Sequence, residues 1–430
     1  MLGVGIKLPA IEVQFEHLNV EAKAYAGSRA LPTLINSSVN IVESFLGYLH
    51  ILPSRKRRLT ILEDVSGIIR LSSLSSFKGF KFLVTKFVTD LVSSLIQVKI
   101  ALQFSGTVTY NGHGMQESVP QRTAAYISQH DLHIGETTIR ETLAFVARCQ
   151  GVGSRYDMLA ELSRRERAAN IKLDPDLDVF MKAAATEGQK ASVVTDYILK
   201  VLDLEVCADM VGDAMIRGVS GGQRKRVTTG EMLVGPAKAL FMDEISTGLD
   251  SSKTYHIVKS LKQYVHNLNG TALISLLQPV PETYELFDDI ILVSEGQIVY
   301  QGPHEHVLDF FESMGFKCPE RKCVPDFLQE VTSKKDQMQY WTHRNERHKF
   351  ITVKEFTKAF QSFHAGQRLR NELGTPFPKI ESHLAALTTK KYGVSQYELL
   401  KASFARQYLL MKRNSFVYIF KLTQVCIVIL

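Results

Sequence analysis

Gly218–Ser252 reads GVSGGQRKRVTTGEMLVGPAKALFMDEISTGLDSS, and three segments inside it decide the fold. The first is Val219-Ser220-Gly221-Gly222-Gln223, two glycines behind a small hydroxyl residue and ahead of a helix. Glycines let backbone N–H groups approach a ligand closely, and a helix N-terminus favours negative charge, so this segment suits a phosphate. The second is the apolar run Ala239-Leu240-Phe241-Met242, which ends in Asp243-Glu244. It reads as a buried strand delivering two carboxylates at its C-terminal end, where open α/β sheets place their ligands. The third is Ser246-Thr247-Gly248-Leu249-Asp250, which turns the chain away from that end.

In this order the segments resemble the ATP-binding cassette family: a VSGGQ signature, a Walker B aspartate (Asp243) with its following glutamate (Glu244), and a D-loop ending at Asp250. The wording DEISTGLDSS is similar to subfamily G, pleiotropic drug resistance type, as found in plants. The resemblance implies an α/β, P-loop NTPase-like nucleotide-binding domain with a helical subdomain, followed by the start of an α-helical membrane domain. It implies ATP and Mg2+ as cofactors, with Asp243 holding the metal and Glu244 orienting or deprotonating the attacking water. Two such cassettes sandwich two nucleotides head to tail. Ser220, Gly221, Gly222 and Gln223 would then serve the nucleotide of a second cassette, in the same full-length chain or in a dimer partner, and Asp250 is expected to take part in nucleotide binding.

Bulk properties agree with a globular chain large enough to bury a core. Its 430 residues are 45% hydrophobic and 22% charged, with a net charge of +7. That excess is too diffuse to argue for nucleic acid, so no nucleic-acid partner is expected. The five cysteines form no ligand-spaced cluster, and the nearest pair, Cys318 and Cys323, lacks the spacing of a zinc site. The start, MLGVGIKLPAIEV, lacks the charged leader and apolar run of a signal peptide.

Residues 1–58 read as an N-terminal extension. Within it, residues 9–20 alternate at Ile11, Val13 and Phe15 behind Pro9, which predicts an edge strand. Ile35, Val39, Val42, Leu46 and Leu49 mark one helix face, and the basic run Arg55–Arg58 reads as solvated linker. The cassette itself is expected over 59–333. It opens with LTILEDVSGIIR, read as paired strands around Gly67.

At 71–100 the resemblance breaks. The family pattern requires a strand and a Walker A loop of the form GxxxxGK[ST], but the chain reads LSSLSSFKGFKFLVTKFVTDLVSSLIQVKI. No Gly-Lys dipeptide occurs anywhere in the chain. Val84, Val88, Leu91, Leu95, Val98 and Leu102 share one helical face, which predicts an amphipathic helix instead. An altered exon and a divergent protein that lost the loop both remain open. The pattern resumes near Ala101.

Ala124–Ser128 reads as a short strand presenting Gln129, which matches the family's Q-loop and by resemblance touches Mg2+ or water. Thr138 and Glu141 form a capping box, as do Ser163 and Glu166, in an expected helical subdomain over 137–217. Thr271–Leu277 predicts a buried strand, where Leu277 takes the place of the family's switch histidine and cannot hold a phosphate. Phe287–Tyr300 predicts a hairpin around Glu295-Gly296. Residues 334–400 are charged and weakly patterned, which suggests a linker. Over 401–430 a connecting helix leads to SFVYIFKLTQVCIVIL, read as the beginning of a first transmembrane helix. Lys401, Arg406, Lys412 and Arg413 precede it, as a cytoplasmic approach to a membrane expects.

The leading expectation is therefore the N-terminal cassette of an exporter of lipids or specialised metabolites. It would lie on the cytoplasmic side of a membrane, the plasma membrane being favoured, with doubtful autonomous ATPase activity. A non-catalytic cassette fragment and a soluble ATPase acting on nucleic acid are the competing readings.

Overall fold

A computed structural model describes residues 9–24, 33, 36, 38, 39, 43, 57–78, 102–151, 155–168, 193–205, 210–212, 218–342 and 350–429, short breaks within these spans excepted. The strands are β1 (Val13–Ala24), β2 (Arg57–Ile69), β3 (Leu74–Lys78), β4 (Leu102–Tyr110), β5 (His113–Gly114), β6 (Ala124–Ile127), β7 (Ala239–Met242), β8 (Thr271–Ser275), β9 (Asp289–Ser294) and β10 (Gln297–Pro303). The longer helices are α1 (Ile139–Gln150), α2 (Arg155–Ala168), α3 (Val193–Val201), α4 (Gly221–Leu233), α5 (Ser251–Leu268), α6 (Val307–Ser313) and α7 (Val324–Glu330). They continue with α8 (Val353–Ser362), α9 (His364–Gly374), α10 (Gln396–Arg413) and α11 (Ser415–Ile429).

One sheet is antiparallel, in the order β2-β1-β4-β5, and the other runs β10-β9-β3-β8-β7-β6. Within the second, β9 through β6 are parallel and β10 closes the edge as an antiparallel hairpin partner of β9. This is the expected α/β architecture. Side chains alternate across a strand, so a strand covered on both faces must be apolar throughout. β7 shows it: Ala239 and Phe241 join the core beneath the antiparallel sheet, while Leu240 and Met242 join the core beneath the helices. The first core includes Val13, Phe15, Leu62 and Tyr110; the second includes Leu143 of α1, Val227 of α4 and Val258 of α5.

Several expectations hold. The Thr138–Glu141 capping box opens α1, with Thr138 accepting from the Glu141 N–H and the Glu141 carboxylate accepting from the Thr138 N–H at 2.9 Å. The hairpin turns at Glu295-Gly296, both at positive φ.

Others do not. β1 is no edge strand, because it pairs with β2 on one side and β4 on the other. Residues 59–70 lie in and just beyond one strand, β2, and Gly67 sits inside it because a Cβ there would collide with the Phe15 ring and the Gln301 amide. Ser163 and Glu166 lie within α2, which begins at Arg155, so they cap nothing. Within 71–100 the described residues include β3, which takes the middle of the parallel sheet, between β8 and β9. Its neighbours hold it, as Leu74 N–H donates to Asp288 at 2.9 Å and Ser73 Oγ to Asp289 at 3.1 Å. The predicted helix over 84–102 lies outside the described residues except for Leu102, which belongs to β4. Most of the face from Ile35 to Leu49 and the whole of Leu277 also lie outside them.

The linker reading of 334–400 is overturned. α8 and α9 pack Val353, Phe356, Phe360, Ala365 and Leu369 into a third, aromatic-rich core with Tyr300, Phe310 and Phe327. Arg70 ties α9 to the sheet through Glu372 at 2.9 Å and Asp289 at 3.3 Å. α10 is fastened to α1 by Arg413, whose guanidinium meets Glu141 in a bidentate pair at 2.7 and 2.8 Å. Among the described residues no helix is long and apolar enough to cross a membrane; α10 and α11 are separate helices broken at Asn414.

Candidate active site

The C-terminal ends of β6 and β7 lie side by side, with Ile127 paired to Met242, so the residues that follow each strand meet. Asp243 and Glu244 follow β7 and are each 1% exposed. Gln129 follows β6, and its Nε2 donates to Glu244 Oε2 at 2.6 Å. Tyr126, the third residue of β6, donates its hydroxyl to Asp243 Oδ2 at 3.3 Å. Thr247 Oγ1 gives Glu244 a second, longer contact at 3.4 Å. Glu244 also holds φ at +47°, a left-handed conformation that a non-glycine residue adopts at a cost of about 1 kcal/mol or more. The turn beyond it sustains this, since Thr247 N–H donates to the Glu244 carbonyl at 3.1 Å.

Beneath this cluster runs α4, whose N-cap is Ser220. The Ser220 hydroxyl accepts from the Gln223 N–H at 3.3 Å, and the Gln223 side-chain oxygen accepts from the Ser220 N–H at 2.8 Å. VSGGQ is thus a capping box as well as a glycine pair. Its two glycines differ. A Cβ on Gly221 would meet nothing within 4 Å, whereas one on Gly222 would press on Gly248 O at 3.1 Å and Leu249 at 3.0 Å. Gly221 faces open space; Gly222 lets the 246–250 turn lie against the signature helix. Asp250 caps α5, accepting from the Lys253 N–H at 2.8 Å, and that bond holds its carboxyl below the usual carboxylate range.

The predicted residues therefore fall into two groups. Gln129, Asp243 and Glu244 converge on the sheet edge. Ser220, Gly221, Gly222, Gln223 and Asp250 form a separate, largely exposed rim where α4 and α5 begin. Sequence reasoning missed Tyr126, Thr247 and above all Lys225, which is 1% exposed and donates to the Ser128 and Gln129 carbonyls at 2.7 and 2.9 Å. Burial lowers the pKa of this lysine, against the opposing pull of Asp131, Asp243 and Glu244. In a run written Arg224-Lys225-Arg226, nothing in the spacing hinted at an inward side chain; α4 is buried nearly all round, which only the tertiary structure shows.

The donors converging at the sheet edge are carboxylate, amide and phenol groups, which suit a hard cation such as Mg2+ and not a thiophilic metal. Among the described residues no group of three His, Cys, Asp or Glu could cage a metal ion alone. That also fits Mg2+, which takes one or two carboxylates and completes its shell with water and phosphate oxygens. A cavity of about 500 Å³ lies elsewhere, between α1 and α10, lined by Ile134, Phe145, Arg406 and Tyr408.

Comparisons with known proteins bear on this arrangement. The family described as ABC transporter matches residues 91–247, and that described as ABC-2 type transporter matches residues 277–352. The second span folds into β9, β10 and the aromatic core. Pleiotropic drug resistance protein 1 of Petunia hybrida is 67% identical over 98% of this chain and 29% of its own length. ABC transporter G family member 40 of Arabidopsis thaliana is 64% identical over 99% of this chain and 30% of its own. The chain thus spans about 30% of the length of the curated relatives it matches. A solved nucleotide-free ATP-binding cassette from an ABC transporter aligns with 70% of this chain and 95% of that one, at 15% identity and a TM-score of 0.43. Sustained over nearly all of its residues, the identity to these plant proteins makes the chain a member of the ABC transporter family, in the pleiotropic drug resistance branch of family G.

Proposed function

We propose that this chain is the N-terminal ATP-binding cassette of a full-size transporter that exports lipids or specialised metabolites. The contact between Gln129 and Glu244 carries the reading, because it joins the ends of two parallel strands at a pair of buried carboxylates. Asp243 would hold Mg2+, Glu244 would orient or deprotonate the attacking water, and Gln129 would keep Glu244 in place. When bound, Mg2+ neutralises charge that develops on the transferred phosphoryl group. The helical subdomain would span 137–217, a reading that the described helices α1, α2 and α3 support, and α10 and α11 would approach the membrane from the cytoplasmic side, the plasma membrane being the favoured location.

The two groups of residues have different fates. By resemblance, signatures serve the nucleotide of the opposite cassette, so Ser220, Gly221, Gly222 and Gln223 act on ATP held by a partner, with Asp250 beside them on the same rim. The chain's own nucleotide lacks a phosphate loop. Such a loop supplies several charge-assisted hydrogen bonds worth about 1.5–3 kcal/mol each. Losing three weakens binding by at least about 4.5 kcal/mol, roughly a thousandfold. Nucleotide titration of the chain alone should give a dissociation constant of about 1 mM or weaker. Mixed with a cassette that has an intact phosphate loop, the chain should form an ATP-dependent pair in analytical ultracentrifugation. Micromolar binding by the chain alone, or no ATP-dependent association, overturns the proposal.

A further inference from the structure

The geometry points to Lys225 as a positioning residue that pins the Ser128–Asp131 loop to the signature helix and so holds the Gln129 amide on Glu244. This deepens the reading of Glu244 as the group that handles water, and rests on it.

The loop begins where β6 ends, so its carbonyls have left the sheet ladder. Two of them, on Ser128 and on Gln129 itself, accept from Lys225 Nζ at 2.7 and 2.9 Å. The third side of the ammonium faces Asp131, 3.8 Å away. Thr228 lies one turn further along α4 and donates to the same Asp131 carboxylate at 2.6 Å. Helix and loop are therefore joined at two successive rungs, and His133 extends the join by a contact to Thr228 Oγ1 at 2.9 Å.

A leucine or methionine would fill this position at lower desolvation cost, because an ammonium group loses far more by burial than a methyl group does. What lysine supplies is a pair of donors for buried carbonyls and a positive charge close to Asp131, Asp243 and Glu244. Two adjacent buried carboxylates repel, and a cation beside them offsets that repulsion. Gln129 contributes its carbonyl to Lys225 and its amide to Glu244, so displacement of α4 is passed through one residue to the carboxylate. The signature helix and the water-handling glutamate thereby become one mechanical unit.

The test compares Lys225→Met, which keeps length and removes the donors, with Lys225→Arg, which keeps charge and donors. In the full chain, hydrogen exchange across Ser128–Asp131 should rise about tenfold in Lys225→Met and stay near the parent rate in Lys225→Arg. Exchange in the β9–β10 hairpin should not change. Unchanged exchange in Lys225→Met, or loosening that spreads equally through the β9–β10 hairpin, overturns the inference. Failure of the parent chain to pair with an intact cassette would count against the proposed function alone, and the exchange data would still decide the role of Lys225.

Discussion

The buried carboxylate cluster and the exposed signature rim come from one short stretch of chain, yet they are built on opposite principles. Asp243 and Glu244 are 1% exposed and surrounded by this chain's own groups: Tyr126, Gln129, Thr247 and Lys225. Ser220 and Gly221 are exposed, and space opens beyond Gly221. The first region is organised internally and depends on the sheet. The second is a surface whose chemistry needs something from outside. Under the proposed function, this division leaves the surface offered to a partner intact while the chain's own nucleotide site is impaired.

The largest effect that tests this division is on stability. Phe241 precedes the carboxylates by two residues and is 1% exposed in the core between the two sheets. Phe241→Ala should cost about 3–5 kcal/mol in urea unfolding, through lost burial and the cavity left behind. A loss below about 1 kcal/mol would mean that the carboxylates do not depend on the sheet core as described.

Next comes an effect on activity with little effect on stability. Ser220→Arg, in a pair with an intact second cassette, should reduce ATP turnover at least about 100-fold, since a bulky cation replaces a small hydroxyl where a nucleotide must approach. Loss of the cap should cost the isolated chain only about 1 kcal/mol. Unchanged turnover would break the comparison, because the rim would then serve no partner.

The smallest effect separates the two glycines. Gly221→Ala adds a methyl group in open space within the first turn of α4 and should stabilise the chain by up to about 1 kcal/mol. Gly222→Ala presses on Gly248 O and Leu249 and should forfeit that gain. Equal thermal midpoints for the two variants would show that the 246–250 turn does not rest on the signature helix.

Much of the fold was legible. The run Ala239–Met242 predicted a buried strand because both of its faces had to be apolar, and the Thr138–Glu141 spacing located the start of α1. β3 was missed because Leu-Ser-Ser-Phe-Lys carries no apolar run; its hydrogen bonds to β8 and β9 hold it in the sheet. α8 was legible in principle, with Val353, Phe356 and Phe360 spaced on one face, but the surrounding charges hid that stripe. Ser163–Glu166 shows the reverse error, since a capping pattern is satisfied by chance inside any polar helix.

By itself the sequence determined the family, the strand that carries Asp243 and Glu244, the capping box at Thr138–Glu141 and the lack of a Walker A motif. These are local properties, set by side-chain type over a few residues. Tertiary structure decided what lies far apart along the chain: that Gln129 reaches Glu244, that Lys225 turns inward beneath the loop, and that β1 is flanked on both sides. Strand order and helix docking bring those groups together, and neither is written in the spacing of any single segment.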